Sequence, residues 1–288
     1  MAPAADQASV RSQLARTRAE LKGARIPYAW LDAEILVAHV LNSSRVRLHT
    51  HPEQKLTDAQ RQRLRRLTAR RAARVPVPYL TGEREFYGYL LAVSPAVLIP
   101  RPESELLVDL AIDWLNRHSG ARRVIDLGTG SGAVGIAVAK AVPRVQIVAR
   151  DVSTRALRVA AANIARYRLR RRIIPQRGDL LRGARPADLI LANLPYISEA
   201  QKRVRPRELD YEPALALDGG RDGLALIRSA MAQAPAVLGT PGAMLLECDP
   251  AQARRLTRLA RGYWPDASIT IHKDLAGRDR VVRVEVPS

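Results

Sequence analysis

Three carboxylates are spaced along the middle of the chain as a site for a nucleoside-like ligand requires. Asp126 stands two residues before Gly128 in Val124-Ile125-Asp126-Leu127-Gly128-Thr129-Gly130-Ser131-Gly132. Asp151 lies 23 residues after Gly128, and Asp179 closes Arg177-Gly178-Asp179, next to Leu180. Glycines between a strand and a helix let the backbone turn tightly and let a ligand approach the helix N-terminus. A carboxylate just past the second strand, as Asp151 is, accepts hydrogen bonds from both ribose hydroxyls in such folds. The loop alone is not decisive. Gly128, Gly130 and Ala133 also fit the nicotinamide fingerprint G-x-G-x-x-A, so a dehydrogenase stays open, as does a plain strand–turn–helix with solvated acids. Two features favour S-adenosylmethionine. Asp126 is placed to hold an amino-acid ammonium and would repel a pyrophosphate, and Asp179 is placed to bind an adenine amino group.

These residues need a scaffold of alternating strands and helices. Val124–Leu127 reads as a buried strand, Ala133–Val142 as a helix, Gln146–Ala149 as a strand and Ser153–Tyr167 as a helix. Ile173–Ile174 and Leu189–Ala192 read as strands, Leu224–Val237 as a helix, Ala243–Glu247 as a strand and Gln252–Arg261 as a helix. Ile269–His272 and Val281–Val286 close the chain as a pair of strands, expected to be antiparallel. This alternation predicts a doubly wound, mostly parallel α/β sheet. Before it, Glu85–Ser94 reads as a hairpin around Gly88, and Glu103–Leu115 as a helix. The first 80 residues lack strand alternation; Leu14, Leu21, Leu31, Ile35, Leu36, Val40 and Leu41 recur at helical spacing. The expected division is therefore a helical domain over 1–80, a hairpin linker over 81–105 and a ligand-binding α/β domain over 106–288.

Ala192-Asn193-Leu194-Pro195-Tyr196 ends the fourth strand. It resembles the Asn/Asp-Pro-Pro-Tyr segment of methyltransferases that modify planar nitrogens. Further stretches resemble one branch of these, the release factor glutamine methyltransferases: Pro78-Tyr79-Leu80-Thr81-Gly82-Glu83-Arg84-Glu85-Phe86, Leu98-Ile99-Pro100-Arg101-Pro102-Glu103-Ser104-Glu105, Tyr211-Glu212-Pro213, Asp222-Gly223-Leu224 and Asp274-Leu275-Ala276-Gly277-Arg278-Asp279-Arg280. The Arg101-Pro102-Glu103 form favours this branch over the related ribosomal-protein glutamine methyltransferases. The resemblance implies a class I methyltransferase fold, a seven-stranded sheet with a small N-terminal helical bundle. It also implies methyl transfer from S-adenosyl-L-methionine to the side-chain amide nitrogen of the glutamine in a release factor's Gly-Gly-Gln motif.

Candidate cofactor-binding residues are then Asp126, Gly128, Thr129, Gly130, Ser131, Gly132, Asp151, Asp179, Leu180 and Asn193. Candidate catalytic residues are Asn193, Leu194, Pro195 and Tyr196. An amide nitrogen is a poor nucleophile, so position and a polar environment matter more than a strong base. The Asn193 side-chain oxygen and the Leu194 carbonyl can each accept one N–H of the target, Pro195 stiffens the turn, and Tyr196 can pack on the planar amide. Glu212-Pro213 is expected to shape the wall near the target. The family usually has Pro where this chain has Leu194, and Asn-Leu-Pro-Tyr is also the form found in ribosomal RNA adenine dimethyltransferases. An adenine N6 methyltransferase on RNA or DNA is the alternative, and a non-catalytic nucleic-acid-binding module a third reading.

Charge bears on that alternative. The 288 residues carry 47 Lys+Arg against 28 Asp+Glu, a net +19. Residues 1–80 hold 15 basic and 6 acidic residues, over twice the excess per residue of the remainder. Seven arginines between Arg61 and Arg74 form either a solvated helix face or a docking surface for an acidic partner; nonspecific nucleic-acid binding is expected in either case. Arg150 adjoins Asp151 and is expected to point to the opposite face of its strand. The lone Cys248 excludes an internal disulfide framework. The histidines (His39, His49, His51, His118, His272) show no metal spacing, so no metal is expected. Asp6, Arg11, Arg16, Arg18, Glu20, Lys22 and Arg25 leave no apolar signal segment near the start. No run approaches the roughly 20 apolar residues of a membrane span. A cytosolic monomer with no membrane contact is expected.

Overall fold

A computed structural model describes residues 8–287; Asp6 lies outside them. The chain forms two compact units, one comprising the residues up to Gly82 with Arg207–Tyr211, the other comprising Glu83–Pro206 and Glu212 onward.

The first unit is helical: α1 (Val10–Gly23), α2 (Ala29–Leu41), α3 (Arg45–Thr50), α4 (Asp58–Ala72) and α5 (Val77–Thr81). Leu21, Leu36 and Leu64 are fully buried, one from each of the three longer helices. Thr57 caps α4 in a reciprocal pair with Gln60, which satisfies two N–H groups that the first turn leaves open. The arginine run is not one solvated face. Arg71 is buried, its Nε 2.7 Å from Asp32 Oδ2 and its Nη1 3.2 Å from Glu208 Oε1. Arg74 also reaches Glu208, at 3.4 Å. Removing one partner of so buried a pair costs about 3–5 kcal/mol, so these two arginines build the unit. Arg65, Arg66 and Arg70 are exposed.

The second unit opens with the hairpin β1 (Glu83–Phe86) and β2 (Tyr89–Ala92), followed by α6 (Glu105–Arg117). This stretch is not a free-standing linker: Phe86 and Leu91 are buried in the same core as Trp114 and Ile136. There follow β3 (Arg123–Leu127), α7 (Ala133–Ala141), β4 (Gln146–Asp151), α8 (Thr154–Arg166), β5 (Ile173–Arg177), β6 (Ala187–Ala192), the one-turn α9 (Glu199–Lys202), α10 (Ala225–Gln233), β7 (Leu238–Glu247), α11 (Ala253–Tyr263), β8 (Ser268–Lys273) and β9 (Asp279–Val286).

The sheet has seven strands in the order β5-β4-β3-β6-β7-β9-β8. Its first five are parallel, and β9 runs antiparallel to β7 and to β8. One core, with Trp114, Ile136 and Leu189, lies on one face; another, with Ile190, Met231 and Leu256, lies on the other. Burial on both faces explains the unbroken apolar runs Leu189–Ala192 in β6 and Ala243–Leu246 in β7. α7 is alanine- and valine-rich because every residue from Ala133 to Ala139 is buried.

Two boundaries differ most from the sequence reading. β7 begins at Leu238 rather than Ala243, because a register shift opposite Ala187–Leu189 accommodates Gly239-Thr240-Pro241-Gly242 within the strand. α10 ends at Gln233 and passes into a tighter turn over Ala234–Ala236, where Pro235 has no N–H to continue the α-helical ladder. Strand order reverses between β3 and β6, which opens a crevice beyond their carboxyl ends.

Candidate active site

A cavity of about 280 Å³ occupies that crevice. Asp126, Gly128, Thr129, Gly130, Ser131, Asp151, Asp179, Leu180, Asn193, Leu194 and Pro195 all line it. Gly132 and Tyr196 do not form its wall. Gly132 opens α7 behind the loop, and the Tyr196 hydroxyl points to Glu247 Oε1, 3.4 Å away.

The end nearest β3 and β4 is built from short stretches of sequence. The Asp126 carboxylate is buried; its Oδ2 accepts from Thr129 Oγ1 (2.6 Å) and from the Gly135 N–H (3.1 Å). Burial pushes its pKa up to about 6, against those two hydrogen bonds, and the charge of Asp151 adds to the rise. A cation held beside it would restore the ionised form. A Cβ at Gly135 would lie 2.9 Å from Asp126 Oδ2, so a glycine in the first turn of α7 is part of this arrangement.

Asp151 ends β4, where its Oδ2 accepts from the Gly130 N–H (3.0 Å) and its Oδ1 from the Ser153 N–H (2.8 Å). Burial raises its pKa, and the backbone hydrogen bonds oppose that. Each oxygen keeps a lone pair for a ligand diol. The glycine loop is fixed to the same strand end, since the N–H groups of Gly128 and Thr129 both donate to the Arg150 carbonyl (2.9 and 3.0 Å).

The Arg150 side chain also lines the cavity, and its bonds go to the loop after β5. Its Nε donates to the Leu180 carbonyl (2.9 Å) and its Nη2 to the Arg182 carbonyl (2.8 Å). Leu180 sits at φ +48°, a conformation unfavourable for a branched side chain, and the Arg150 contact holds it there. A Cβ at Gly178 would lie 2.1 Å from Arg150 Nη2, so Gly178 is what lets the guanidinium in. Asp179 is exposed and faces Arg182 at 3.6 Å.

The other end gathers residues from distant segments. Asn193 Nδ2 donates to Ser104 Oγ (2.9 Å), which leaves its Oδ1 as the acceptor available to a substrate. The Leu194 side chain is buried beneath the glycine loop: a Cβ at Gly128, whose φ is +72°, would lie 3.1 Å from Leu194 Cδ2. Leucine here fills core volume that also restricts the segment. The Tyr196 carbonyl accepts from Gln252 Nε2 (2.9 Å), and Gly223 packs so closely that its Cβ would meet that carbonyl oxygen at 2.3 Å. This contact accounts for the glycine of Asp222-Gly223-Leu224. The buried Glu212 carboxylate accepts from the Ile99 N–H (3.1 Å) and from Arg101 Nη2, bracing the wall at Pro100 and Arg101, and Pro213 joins the lining.

Sequence reading missed Ser104, Arg150 as a brace, Gly135, Glu247 and Asn163. Asn163 Nδ2 donates to the carbonyls of Ala92 and Ser131 (2.9 Å each), joining hairpin to glycine loop. Only an asparagine in an otherwise apolar helix stripe could have signalled it. Among the described residues no cluster of His, Cys, Asp and Glu could hold a metal ion, and no helix is long and apolar enough to cross a membrane. Cys248 is buried and its thiol is pushed up to about 12 by that burial, which makes it unsuited to nucleophilic attack.

Comparison with known proteins agrees with this architecture. Residues 13–82 match the PrmC N-terminal domain, and residues 104–207 the methyltransferase small domain. The release factor glutamine methyltransferase of Deinococcus radiodurans is 37% identical over 95% of this chain and 97% of its own length. That of Bordetella pertussis is 40% identical over 87% and 93%. Among solved structures, the release factor-specific protein-(glutamine-N5) methyltransferase of Alicyclobacillus acidocaldarius is 32% identical over 69% of this chain and all of that one, with a TM-score of 0.44. The hMettl16 catalytic domain, 15% identical over 80% of this chain and 82% of its own, has a TM-score of 0.54 and shares the fold. With relatives so similar along nearly its whole length, the chain belongs to the release factor glutamine methyltransferase family.

Proposed function

We propose that this protein methylates the side-chain amide nitrogen of the glutamine in the Gly-Gly-Gln motif of peptide chain release factors, using S-adenosyl-L-methionine. The observation that carries the reading is the orientation of Asn193: its NH₂ is committed to Ser104, so an acceptor faces the cavity that Asp126 and Asp151 share. The donor set fits the cofactor. Asp126 offers a buried anion for an ammonium, Asp151 two acceptors for a ribose diol, and Leu180, Val152 and Ala156 an apolar slot for a base. When bound, S-adenosylmethionine supplies a methyl group on a sulfonium, ready for direct transfer.

The chain's own residues then work by position. Asn193 Oδ1 and the Leu194 carbonyl accept the two N–H groups of the target amide. This aims its lone pair into the cavity and stabilises positive charge as it develops on nitrogen. Transfer is in line, needs no covalent enzyme intermediate, and releases one proton from the methylated nitrogen. The packing of Leu194 on Gly128 gives that residue a role in the glutamine reading. No observation favours adenine as the target.

The helical first unit serves docking of the acidic partner, with Arg65, Arg66 and Arg70 speeding encounter. The protein acts as a cytoplasmic monomer, and its net +19 gives only salt-sensitive, nonspecific affinity for nucleic acid. The test is incubation with methyl-labelled cofactor and a release factor, followed by mass spectrometry. Label on the Gly-Gly-Gln glutamine is expected; folded, cofactor-binding protein that leaves this residue unmodified would refute the reading.

A further inference from the structure

Gln252 stands where three segments meet beside the amide end of the cavity. It closes the tight turn Pro250–Gln252 that leads into α11, and it is buried. Its side-chain amide is fully engaged. Oε1 accepts from the Asp249 N–H (3.2 Å), and Nε2 donates to the Tyr196 carbonyl (2.9 Å) and reaches the Asp222 carbonyl (3.5 Å). One N–H to receive and two carbonyls to reach match a primary amide and fix which way it faces.

Capping alone does not ask for glutamine. Asp249 and Gln252 form a reciprocal cap, and glutamate closes the same cap, because only the side-chain oxygen is used. What glutamine adds is the nitrogen, and the nitrogen goes to Tyr196. Gly223 leaves room for that bond: a Cβ there would lie 2.3 Å from both Gln252 Nε2 and the Tyr196 carbonyl oxygen.

Tyr196 closes the segment that carries the two acceptors. Upstream, Ala192 is paired in the sheet on both sides, and Asn193 is tied to Ser104. Downstream, Gln252 holds the Tyr196 carbonyl, the Ile197 N–H donates to the Leu217 carbonyl (3.1 Å), and the Ile197 carbonyl accepts from the Gly219 N–H (3.0 Å). Pro195 alone stands between Leu194 and Tyr196, and its φ is fixed. A displaced Tyr196 end therefore moves the Leu194 carbonyl with it.

We propose that Gln252 is a positioning residue: by holding the Tyr196 carbonyl it sets where the Leu194 carbonyl and Asn193 Oδ1 meet the target nitrogen. The proposal rests on the glutamine-methylation reading. It concerns how the acceptors are placed, not which amide is methylated.

Gln252→Glu is the decisive variant because it keeps the size and the cap. When ionised, it sets an oxygen against the Tyr196 and Asp222 carbonyls; when protonated, it has a hydrogen to donate to Tyr196. Burial against two carbonyls places its pKa above the ordinary carboxylate range. The neighbouring acids are already engaged: Asp249 Oδ2 accepts from Gln201 Nε2 (3.0 Å), and the Asp222 carboxylate pairs with Arg228 (3.1 Å) and Arg255 (2.8 Å).

Steady-state methylation of a release factor should show kcat about 10²-fold below the parent at about pH 8.5, the effect of misplacing reacting groups by about 1 Å. Relative to the parent at the same pH, kcat should recover by about tenfold at about pH 6, as the new carboxyl takes up its proton. Affinity for S-adenosylhomocysteine by calorimetry should stay within about threefold of the parent at each pH, since those contacts lie at the other end. A residue that only caps α11 would give neither the loss nor the recovery. If Gln252→Glu does not fold, Gln252→Met, similar in length and without an N–H, should lose about tenfold or more in kcat at every pH, again with parental cofactor affinity.

Parental kcat in either variant, a loss in Gln252→Glu that ignores pH, or an equal loss of cofactor affinity would overturn the proposal. A parent enzyme that binds cofactor yet leaves the release factor unmethylated would instead refute the underlying reading, and with it any role for Gln252 in aiming at that amide.

Discussion

The two ends of the cavity are built in opposite ways. The cofactor end is assembled from residues 126–135 and 150–153, adjoining stretches joined mainly by backbone hydrogen bonds. The amide end draws Ser104, Asn193, Glu212 and Glu247 from four separate segments and fixes them by side-chain bonds, Asn193 to Ser104, Tyr196 to Glu247 and the Ile99 N–H to Glu212. Each end hides one carboxylate whose pKa burial pushes up to about 6, Asp126 at one and Glu247 at the other. Asp126 sits on the cavity wall, where an incoming cation compensates its charge. Glu247 sits behind the wall, where its Oε1 takes the Tyr196 hydroxyl.

Substitutions should separate the ends. The largest effect is expected for Asn193→Ala, with kcat lower by about 10²–10³-fold and cofactor affinity nearly unchanged. Single-turnover methylation and calorimetry measure the two halves of that statement. A matching loss of cofactor affinity would mean that the ends are not separable.

A second effect concerns stability. The folded chain holds the Glu247 proton more tightly than the unfolded chain, about 6 against an ordinary 4.5. The contribution is therefore fully present below about pH 4.5 and is lost as pH rises through about 6. Glu247→Gln removes that loss. The ligand-free variant should gain on the parent by about 2 kcal/mol between about pH 4 and pH 8, as read by urea denaturation.

At the opposite end, Arg150→Met should weaken cofactor binding on the order of tenfold by releasing the Leu180 and Arg182 carbonyls. Saturating kcat should remain within about twofold of the parent. A fall in kcat with unchanged affinity would place Arg150 with the amide end instead. The smallest effect is expected for Leu194→Pro. Its carbonyl remains, so activity should hold within about twofold, while lost packing on the glycine loop costs about 1–2 kcal/mol of stability.

The contrast also explains what the sequence could reveal. The doubly wound sheet was legible because strands buried on both faces leave apolar runs such as Leu189–Ala192, alternating with helical stripes. The cofactor end was legible because Asp126, the glycines and Asp151 keep fixed spacing along adjoining elements. Asn193–Tyr196 stood out as a compact motif. Ser104 and Glu247 did not, since a serine before a helix reads as a cap and a glutamate ending a strand reads as solvent-exposed. They acquire meaning only when β6, β7 and the segment before α6 converge. Arg150 was expected only to point to the opposite face of its strand from Asp151; it also braces the loop at Leu180, because a buried guanidinium must find acceptors. The arginines of α4 looked like one surface, and tertiary pairing of Arg71 with Asp32 and Glu208 divides them.

The most direct measurement is transfer of labelled methyl to a release factor and to RNA in parallel, using parent and Asn193→Ala proteins. The expected result is label on the Gly-Gly-Gln glutamine with the parent alone, and none on RNA with either protein. Label on RNA that disappears with Asn193→Ala, with the release factor left unmodified, would contradict it.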